Sequence, residues 1–258
     1  MRITLLQTDI VWEDKEANLS KLHTFLQQLS GSTDLVVVPE MFSTGFSMNS
    51  NTLAESEEGN TVNLLKTWSS SYKLALTGSF IALGEDGKKY NRGFFITPDE
   101  KAVFYDKRHL FRMGKEPKFF AAGNNHLLID YKGFHISLLI CYDLRFPVWS
   151  RNVGNSYDLL IYVANWPASR RKVWDALLKA RALENMSYVC GVNRIGTDGN
   201  HLPHNGGSQL ISAKGDIITT VADNEEGYST ATIDIESLQH FREKFPVWKD
   251  ADEFSINE

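Results

Sequence analysis

Two rhythms of apolar and polar positions alternate along the first hundred residues. The run Ile3-Thr4-Leu5-Leu6-Gln7-Thr8 reads as a strand, and Leu19, Leu22, Phe25, Leu26 and Leu29 recur at helical spacing within residues 15–30. Leu35-Val36-Val37-Val38, between Asp34 and Pro39, is continuous rather than alternating, which predicts a short strand buried on both faces. Residues 60–71 predict a second amphipathic helix. Strands follow at 73–82 and 92–97, joined by the turn Gly84-Glu85-Asp86-Gly87, with a further strand at 101–105.

The second half repeats this order. Asp34-Leu35, Ser71-Tyr72, Gly84-Glu85-Asp86-Gly87 and Asn91-Arg92-Gly93 have counterparts in Asp158-Leu159, Ser187-Tyr188, Gly196-Thr197-Asp198-Gly199 and Asn205-Gly206. Asp-Gly turns are common in hairpins, but four features in the same order favour an internal duplication. Two similar halves of helix and strands predict an α/β fold with two central sheets and helices outside them. With no Pro/Gly/Ser-rich linker between the halves, residues 1–258 are expected to form a single domain. The tail after Asp234, with Phe241, Phe245, Trp248 and Phe254, is expected to dock on the body or on a partner subunit.

Composition narrows the functional classes. The chain is 42% hydrophobic and 23% charged, with a net charge of −5. It has no basic stripe, which argues against a nucleic-acid partner. No apolar run approaches the roughly 20 residues that span a bilayer. The N-terminal stretch is broken by Gln7, Thr8 and Asp9 and does not read as a secretion signal, so a cytoplasmic location is expected. The two cysteines, Cys141 and Cys190, then read as free thiols.

Cys141 closes the apolar run Phe134–Ile140 and precedes Tyr142-Asp143-Leu144-Arg145-Phe146-Pro147. It is either a small hydrophobe capping a core strand or a nucleophile facing a pocket, next to a backbone N–H free to hold an oxyanion. Glu40 ends its own strand in the same way. An unpaired carboxylate there would be costly, so it either pairs with a cation, acts as a base or already reaches solvent. Lys107 follows the strand at 101–105 and, alone, would read as an exposed lysine. The set of acid, lysine and cysteine at predicted strand ends changes that reading, because such ends gather at one mouth in α/β folds. The seven histidines show no metal-ligand spacing, and neither a serine nucleophile elbow nor a phosphate-binding glycine loop is present. No metal and no cofactor are expected.

The segments LVVVPEMF, YDKRHLF and LLICYDLRFP resemble the Glu, Lys and Cys signatures of the nitrilase superfamily of carbon–nitrogen hydrolases. The resemblance extends over nearly the whole chain, including Ala164-Asn165-Trp166-Pro167 and Ala180–Asn185. The finer pattern MFSTGF, HLFRMGKEPKFF and ANWP is similar to the omega-amidase branch, which hydrolyses 2-oxoglutaramate. The resemblance implies a four-layer α-β-β-α sandwich, the nitrilase-like arrangement, with an internal pseudo-repeat.

It also implies roles. Cys141 would attack the amide carbon as a thiolate, its pKa lowered by Lys107. Lys107 and the N–H of Tyr142 would hold the oxyanion. Glu40 would serve as acid and base, and Glu116 would position Lys107 and the substrate. Phe42, Phe46, Tyr142 and Trp166 are expected as pocket walls. Arg145 either meets a substrate carboxylate or pairs with Asp143 or Glu184, and the structural pairing is the favoured expectation. The expected partner is a small amide, 2-oxoglutaramate in preference to glutamine, and the expected assembly is a homodimer or larger. N-carbamoyl amide hydrolysis and nitrile hydrolysis are alternatives within this chemistry. A non-catalytic scaffold is the alternative of a different class.

Overall fold

The protein is described by a computed structural model over residues 1–256. In chain order the elements are β1 (Arg2–Gln7), α1 (Lys15–Leu29), β2 (Leu35–Val37), α2 (Ser50–Leu53), α3 (Asn60–Tyr72), β3 (Ala75–Leu83), β4 (Lys89–Ile96) and β5 (Ala102–Asp106). There follow β6 (Leu128–Tyr131), β7 (Phe134–Ile140), β8 (Leu159–Ala164), α4 (Arg171–Asn185), β9 (Tyr188–Asn193), β10 (Ile195–Thr197), β11 (Pro203–Asn205), β12 (Gln209–Ile211), β13 (Ile217–Thr220), β14 (Gly227–Thr232) and α5 (Ile235–Lys244).

The strands form two six-stranded sheets, ordered β14-β1-β2-β3-β4-β5 and β13-β12-β9-β8-β7-β6. In each, three parallel strands (β1-β2-β3, β7-β8-β9) are flanked by antiparallel neighbours. The repeat reaches the hydrogen bonds. Asp34 Oδ2 accepts from Arg2 N at 2.7 Å, and Asp158 Oδ2 accepts from His135 N at 2.9 Å.

Strand alternation builds the layers. Ile3, Leu5, Leu35 and Val37 share a core cluster with Ile136, Leu138 and Ile161 of the other sheet, so these sides pack sheet on sheet. Leu6 and Val36, one position out of step, pack instead with Leu22 and Leu26 of α1 and Leu65 and Trp68 of α3. On the far side of the second sheet, Trp174, Leu178 and Ala182 of α4 and Leu238 of α5 complete the core. The result is an α-β-β-α sandwich. Each parallel strand is covered on both faces, which is why the run at 35–38 carries no polar alternation.

The halves differ in two places. The Asp-Gly turn of the first half joins β3 and β4 within the sheet. Its counterpart joins β10 and β11 in a separate two-stranded ribbon, and the sheet resumes only at β12. The connection from β1 to β2 contains α1, whereas that from β7 to β8 has only short 3-10 turns. Helix α5 fills the missing place. Its Arg242 is buried, pairing with Asp158 at 2.6 Å and donating to the carbonyls of Tyr157 and Met186. The tail thus docks on its own body through Leu238 and Arg242, while Phe245 is left 60% exposed. Among the described residues no helix is long and apolar enough to cross a membrane.

Candidate active site

Glu40 lies three residues past β2, Lys107 one past β5 and Cys141 one past β7. These ends converge. Lys107 Nζ lies 2.8 Å from Glu40 Oε1 and 3.0 Å from Glu116 Oε2, and all three side chains are fully buried. Asn91 of β4 donates through Nδ2 to Glu40 Oε1 at 2.7 Å and to Glu116 Oε1 at 3.0 Å. Its Oδ1 accepts from Ser79 Oγ at 2.9 Å, which fixes the orientation of the amide. The second oxygen of Glu40 accepts from the backbone N–H of Asn165 at 2.8 Å, and the Asn165 side chain donates to the Glu40 carbonyl. A carboxylate with this many donors does not wander between rotamers.

Burial by itself would discharge Lys107, but Glu116 and Glu40 outweigh it and hold the ammonium above its ordinary pKa. Glu116 is raised by its own burial, against the pull of Lys107 and with the push of Glu40. The cluster holds two acids and one lysine, so it can accept one proton without losing its cation.

Cys141 is half-buried and opens a 3-10 turn, Cys141–Arg145. Its φ of 45° lies in the left-handed region, which costs a residue with a side chain roughly 1–3 kcal/mol. Asp143 stabilises this elbow. Its Oδ2 accepts from Ile140 N at 3.0 Å and Tyr105 OH at 2.8 Å, and its Oδ1 accepts from His109 N at 2.9 Å. One buried carboxylate therefore ties the cysteine turn to β5 and to the loop carrying Lys107. The Cys141 thiol is pushed well above its ordinary pKa, first by burial and then by the Glu40 carboxylate, and Lys107 only partly offsets this. Lys107 lowers the thiol's pKa as expected, but burial and Glu40 outweigh it. A thiol shifted in this direction needs a base to take its proton during attack.

These residues open into a cavity of about 610 Å³. Phe46, Tyr142, Arg145 and Trp166 line it, together with Phe111 and Arg170. Phe42 does not. Met41, with φ 43°, reverses the chain just after Glu40, and Phe42 packs beneath the sheet against Phe94, with ring centroids 5.8 Å apart. Glu116 is fully buried, bonds Lys107 and Asn91, and does not line the cavity.

The structural pairing expected for Arg145 is also absent. Asp143 is taken by Tyr105, Ile140 and His109, and Glu184 pairs with Arg181 at 2.8 Å. Arg145 lies over the Trp166 ring at 5.3 Å, and Arg170 lies over Phe111 at 5.3 Å. Neither guanidinium has an acidic partner among the described residues. Also among these residues, no group of three or more His, Cys, Asp or Glu side chains is placed to hold a metal ion.

Sequence reading passed over Asn91, Asn165 and Asp143 as parts of the site. Asn91 stood within the repeat and Asp143 within the cysteine motif, but their partners lie 51 and 34 residues away, at Glu40 and His109. Asn165 stood within the Ala164–Pro167 motif, but its partner, Glu40, lies 125 residues away, and no local pattern names these partners.

Residues 2–243 match the carbon-nitrogen hydrolase family. The chain is 43% identical to the omega-amidase YafV of Escherichia coli (strain K12), over 99% of this chain and 98% of the relative. It is 30% identical to the 2-oxoglutaramate amidase of Bacillus subtilis (strain 168), over 96% of each. The crystal structure of XC1258 from Xanthomonas campestris, a CN-hydrolase superfamily protein with an arsenic adduct in the active site, superposes with a TM-score of 0.97. It is 39% identical and is covered over 99% of its chain, against 100% of this one.

Proposed function

The chain belongs to the carbon–nitrogen hydrolase family, and from that premise we propose that it is an omega-amidase, hydrolysing 2-oxoglutaramate and similar short omega-amides of dicarboxylates to the acid and ammonia. It is an amidase acting on carbon–nitrogen bonds other than peptide bonds, and its substrate is a small amide. One observation carries the finer reading. The cavity that exposes Cys141 to a buried acid–lysine cluster also holds two guanidiniums without acidic partners, Arg145 and Arg170. Such cations suit a carboxylate at the far end of the amide and repel the ammonium of glutamine.

In this reading Glu40 takes the Cys141 proton as Sγ attacks the amide carbon. The oxyanion is held by Lys107 Nζ and the N–H of Tyr142, within the first turn, whose amides have no partner inside the turn. The tetrahedral intermediate collapses. Its carbon–nitrogen bond breaks, Glu40 passes its proton to the departing ammonia, and a thioester remains on Cys141. Glu40 then takes a proton from water, the hydroxide adds to the thioester carbon, and the sulfur leaves and regains its proton from Glu40. Glu116 and Asn91 hold Lys107 and Glu40 in place. Because the cluster draws on both halves of the chain, residues 1–258 are read as one hydrolase domain.

The two free cysteines support a reducing, cytoplasmic setting. Val148, Val153, Phe245 and Phe254 are apolar and exposed, which supports pairing into a homodimer. A single sedimenting species near the chain mass of 29.2 kDa at micromolar concentration would refute the pairing.

The test of function is ammonia release from 2-oxoglutaramate, 2-oxosuccinamate, glutamine, asparagine, N-carbamoyl amino acids and simple nitriles. The highest kcat/KM is expected for 2-oxoglutaramate. A best rate on glutamine, a nitrile or a carbamoyl compound would overturn the omega-amidase reading.

A further inference from the structure

The acid–lysine cluster stands on two neutral side chains, Ser79 of β3 and Asn91 of β4, both fully buried. Ser79 lies opposite Gly93 in the β3–β4 register, two positions from Asn91. The two side chains therefore share one face of the sheet as a diagonal pair. Polar groups buried on largely apolar strands are costly unless their bonds are made. Here they are made, and in an order that has a chemical consequence.

The backbone N–H of Met41 can only donate, and it donates to Ser79 Oγ at 2.8 Å. The hydroxyl proton of Ser79 is left for Asn91 Oδ1, at 2.9 Å. With its oxygen held there, Asn91 turns both N–H groups of Nδ2 toward the acids, to Glu40 Oε1 at 2.7 Å and Glu116 Oε1 at 3.0 Å. The chain of bonds closes on itself. It leaves the backbone at residue 41 and returns to the carboxylate of residue 40. The Asn91 carbonyl also accepts from Lys107 N at 3.0 Å, so the same residue fixes the backbone from which the lysine extends.

A donor aimed at a carboxylate favours its ionised form, and a carbonyl oxygen in that place would favour the protonated one. The titratable groups facing Glu40 are Lys107 from the loop after β5, Glu116 from the 3-10 turn Glu116–Lys118 and Cys141 from the elbow after β7. Lys107 has one positive charge to share between two acids. Burial pushes the Glu116 carboxyl up, and the Asn91 bond is among the forces that oppose this. We propose that Ser79 and Asn91 are positioning residues for the base. Ser79 sets the orientation of the amide, and the amide, by donating to both acids, keeps the cluster deprotonated so that Glu40 can take the Cys141 proton. The inference rests on the role of Glu40 as base and deepens it.

The experiment is the pH profile of kcat/KM for 2-oxoglutaramate in the full chain and its variants, whose acid limb reports protonation of the cluster in the free enzyme. Asn91→Leu removes both donors and is expected to move that limb to higher pH by about one unit or more. Ser79→Ala leaves the amide but frees its oxygen, and should move the limb the same way by less. Because Ser79 acts through Asn91, the double variant should match Asn91→Leu alone. Asn91→Ala takes the place of Asn91→Leu if that variant lacks the far-ultraviolet dichroism of the wild type. A folded Asn91 variant that is slower at every pH but keeps its acid limb in place overturns the inference, as does a limb moved to lower pH. Additive shifts in the double variant overturn the role of Ser79. A wild-type chain whose kcat/KM does not fall at low pH overturns this inference together with Glu40 as base. A chain that prefers another amide overturns the omega-amidase reading alone, because the same limb is then read on that amide.

Discussion

Two buried polar networks meet at consecutive residues of one loop. The N–H of Asn165 donates to Glu40, at the edge of the network formed by Ser79, Asn91, Glu40, Lys107 and Glu116. The N–H of Trp166 donates to Asn193 Oδ1 at 2.7 Å, at the edge of a second network formed by Asn193, Ser208 and Gln7. Both satisfy buried backbone groups where strands end, and both pin the loop that carries Trp166. The first does so with three ionisable groups, the second with amides and a hydroxyl only. The structural task therefore does not require charge. The buried charges of the first network are retained for proton transfer, which neutral groups cannot perform at ordinary pH.

The largest effect should come from removing the reacting groups. Cys141→Ala and Glu40→Gln are each expected to lower kcat for amide hydrolysis by at least roughly 10⁴-fold, with the far-ultraviolet dichroism of the wild type. Ser208→Ala, in the neutral network, should stay within about tenfold of wild type. If Ser208→Ala lost as much activity as Glu40→Gln, the division between the networks would be wrong.

Lys107→Met sharpens the same contrast through stability. It leaves Glu40 and Glu116 buried against each other without a cation and should cost about 3–5 kcal/mol in denaturant unfolding. The Glu116 pKa is already raised in the folded chain. A raised carboxyl favours the folded state at low pH and loses that contribution as pH rises through its folded pKa, so the deficit should shrink as pH is lowered. A deficit independent of pH would show that these charges are not what the lysine holds.

A smaller loss is expected in the neutral network. Gln7 Oε1 accepts from Ser208 N and Oγ, and its Nε2 donates to the carbonyls of Ala222 and Glu225. Gln7→Leu strands these groups and should cost about 1–3 kcal/mol while leaving the pH profile of kcat/KM in place. A shifted profile would mean that the neutral network also tunes the reacting groups.

The smallest effect is expected at the other cysteine. Cys190 is fully buried in β9, and burial alone drives its thiol far above the ordinary range. Cys190→Ala should leave turnover within about twofold and cost on the order of 1 kcal/mol, and one alkylation event per chain should still abolish activity. Protection from inactivation in this variant would move the nucleophile away from Cys141.

The strands and helices of the first half are read from periodicity to within a few residues, and Glu40, Lys107 and Cys141 are marked out by their places at strand ends and by the motifs around them. Phe42, expected in the pocket wall, lies in the core instead, because the left-handed turn at Met41 that sends it there has no signature in a sequence that reads Glu-Met-Phe. The freedom of Arg145 was hidden for a related reason. Whether Asp143 and Glu184 accept from Arg145 depends on whether Tyr105, His109 and Arg181 reach them first.

By itself, then, the sequence determined what is local. Alternation assigns each strand residue to a face, apolar runs assign strands to burial, and the chemical identity of a cysteine, a lysine and two glutamates limits what a site made from them can do. Only the tertiary structure decided protonation and recognition. The bond from Asn165 to Glu40 spans 125 residues of chain. The raised thiol of Cys141 and the retained charge of Lys107 are consequences of what two packed sheets exclude from water. Desolvation and Coulomb interaction act through space, and no spacing along the chain encodes those distances.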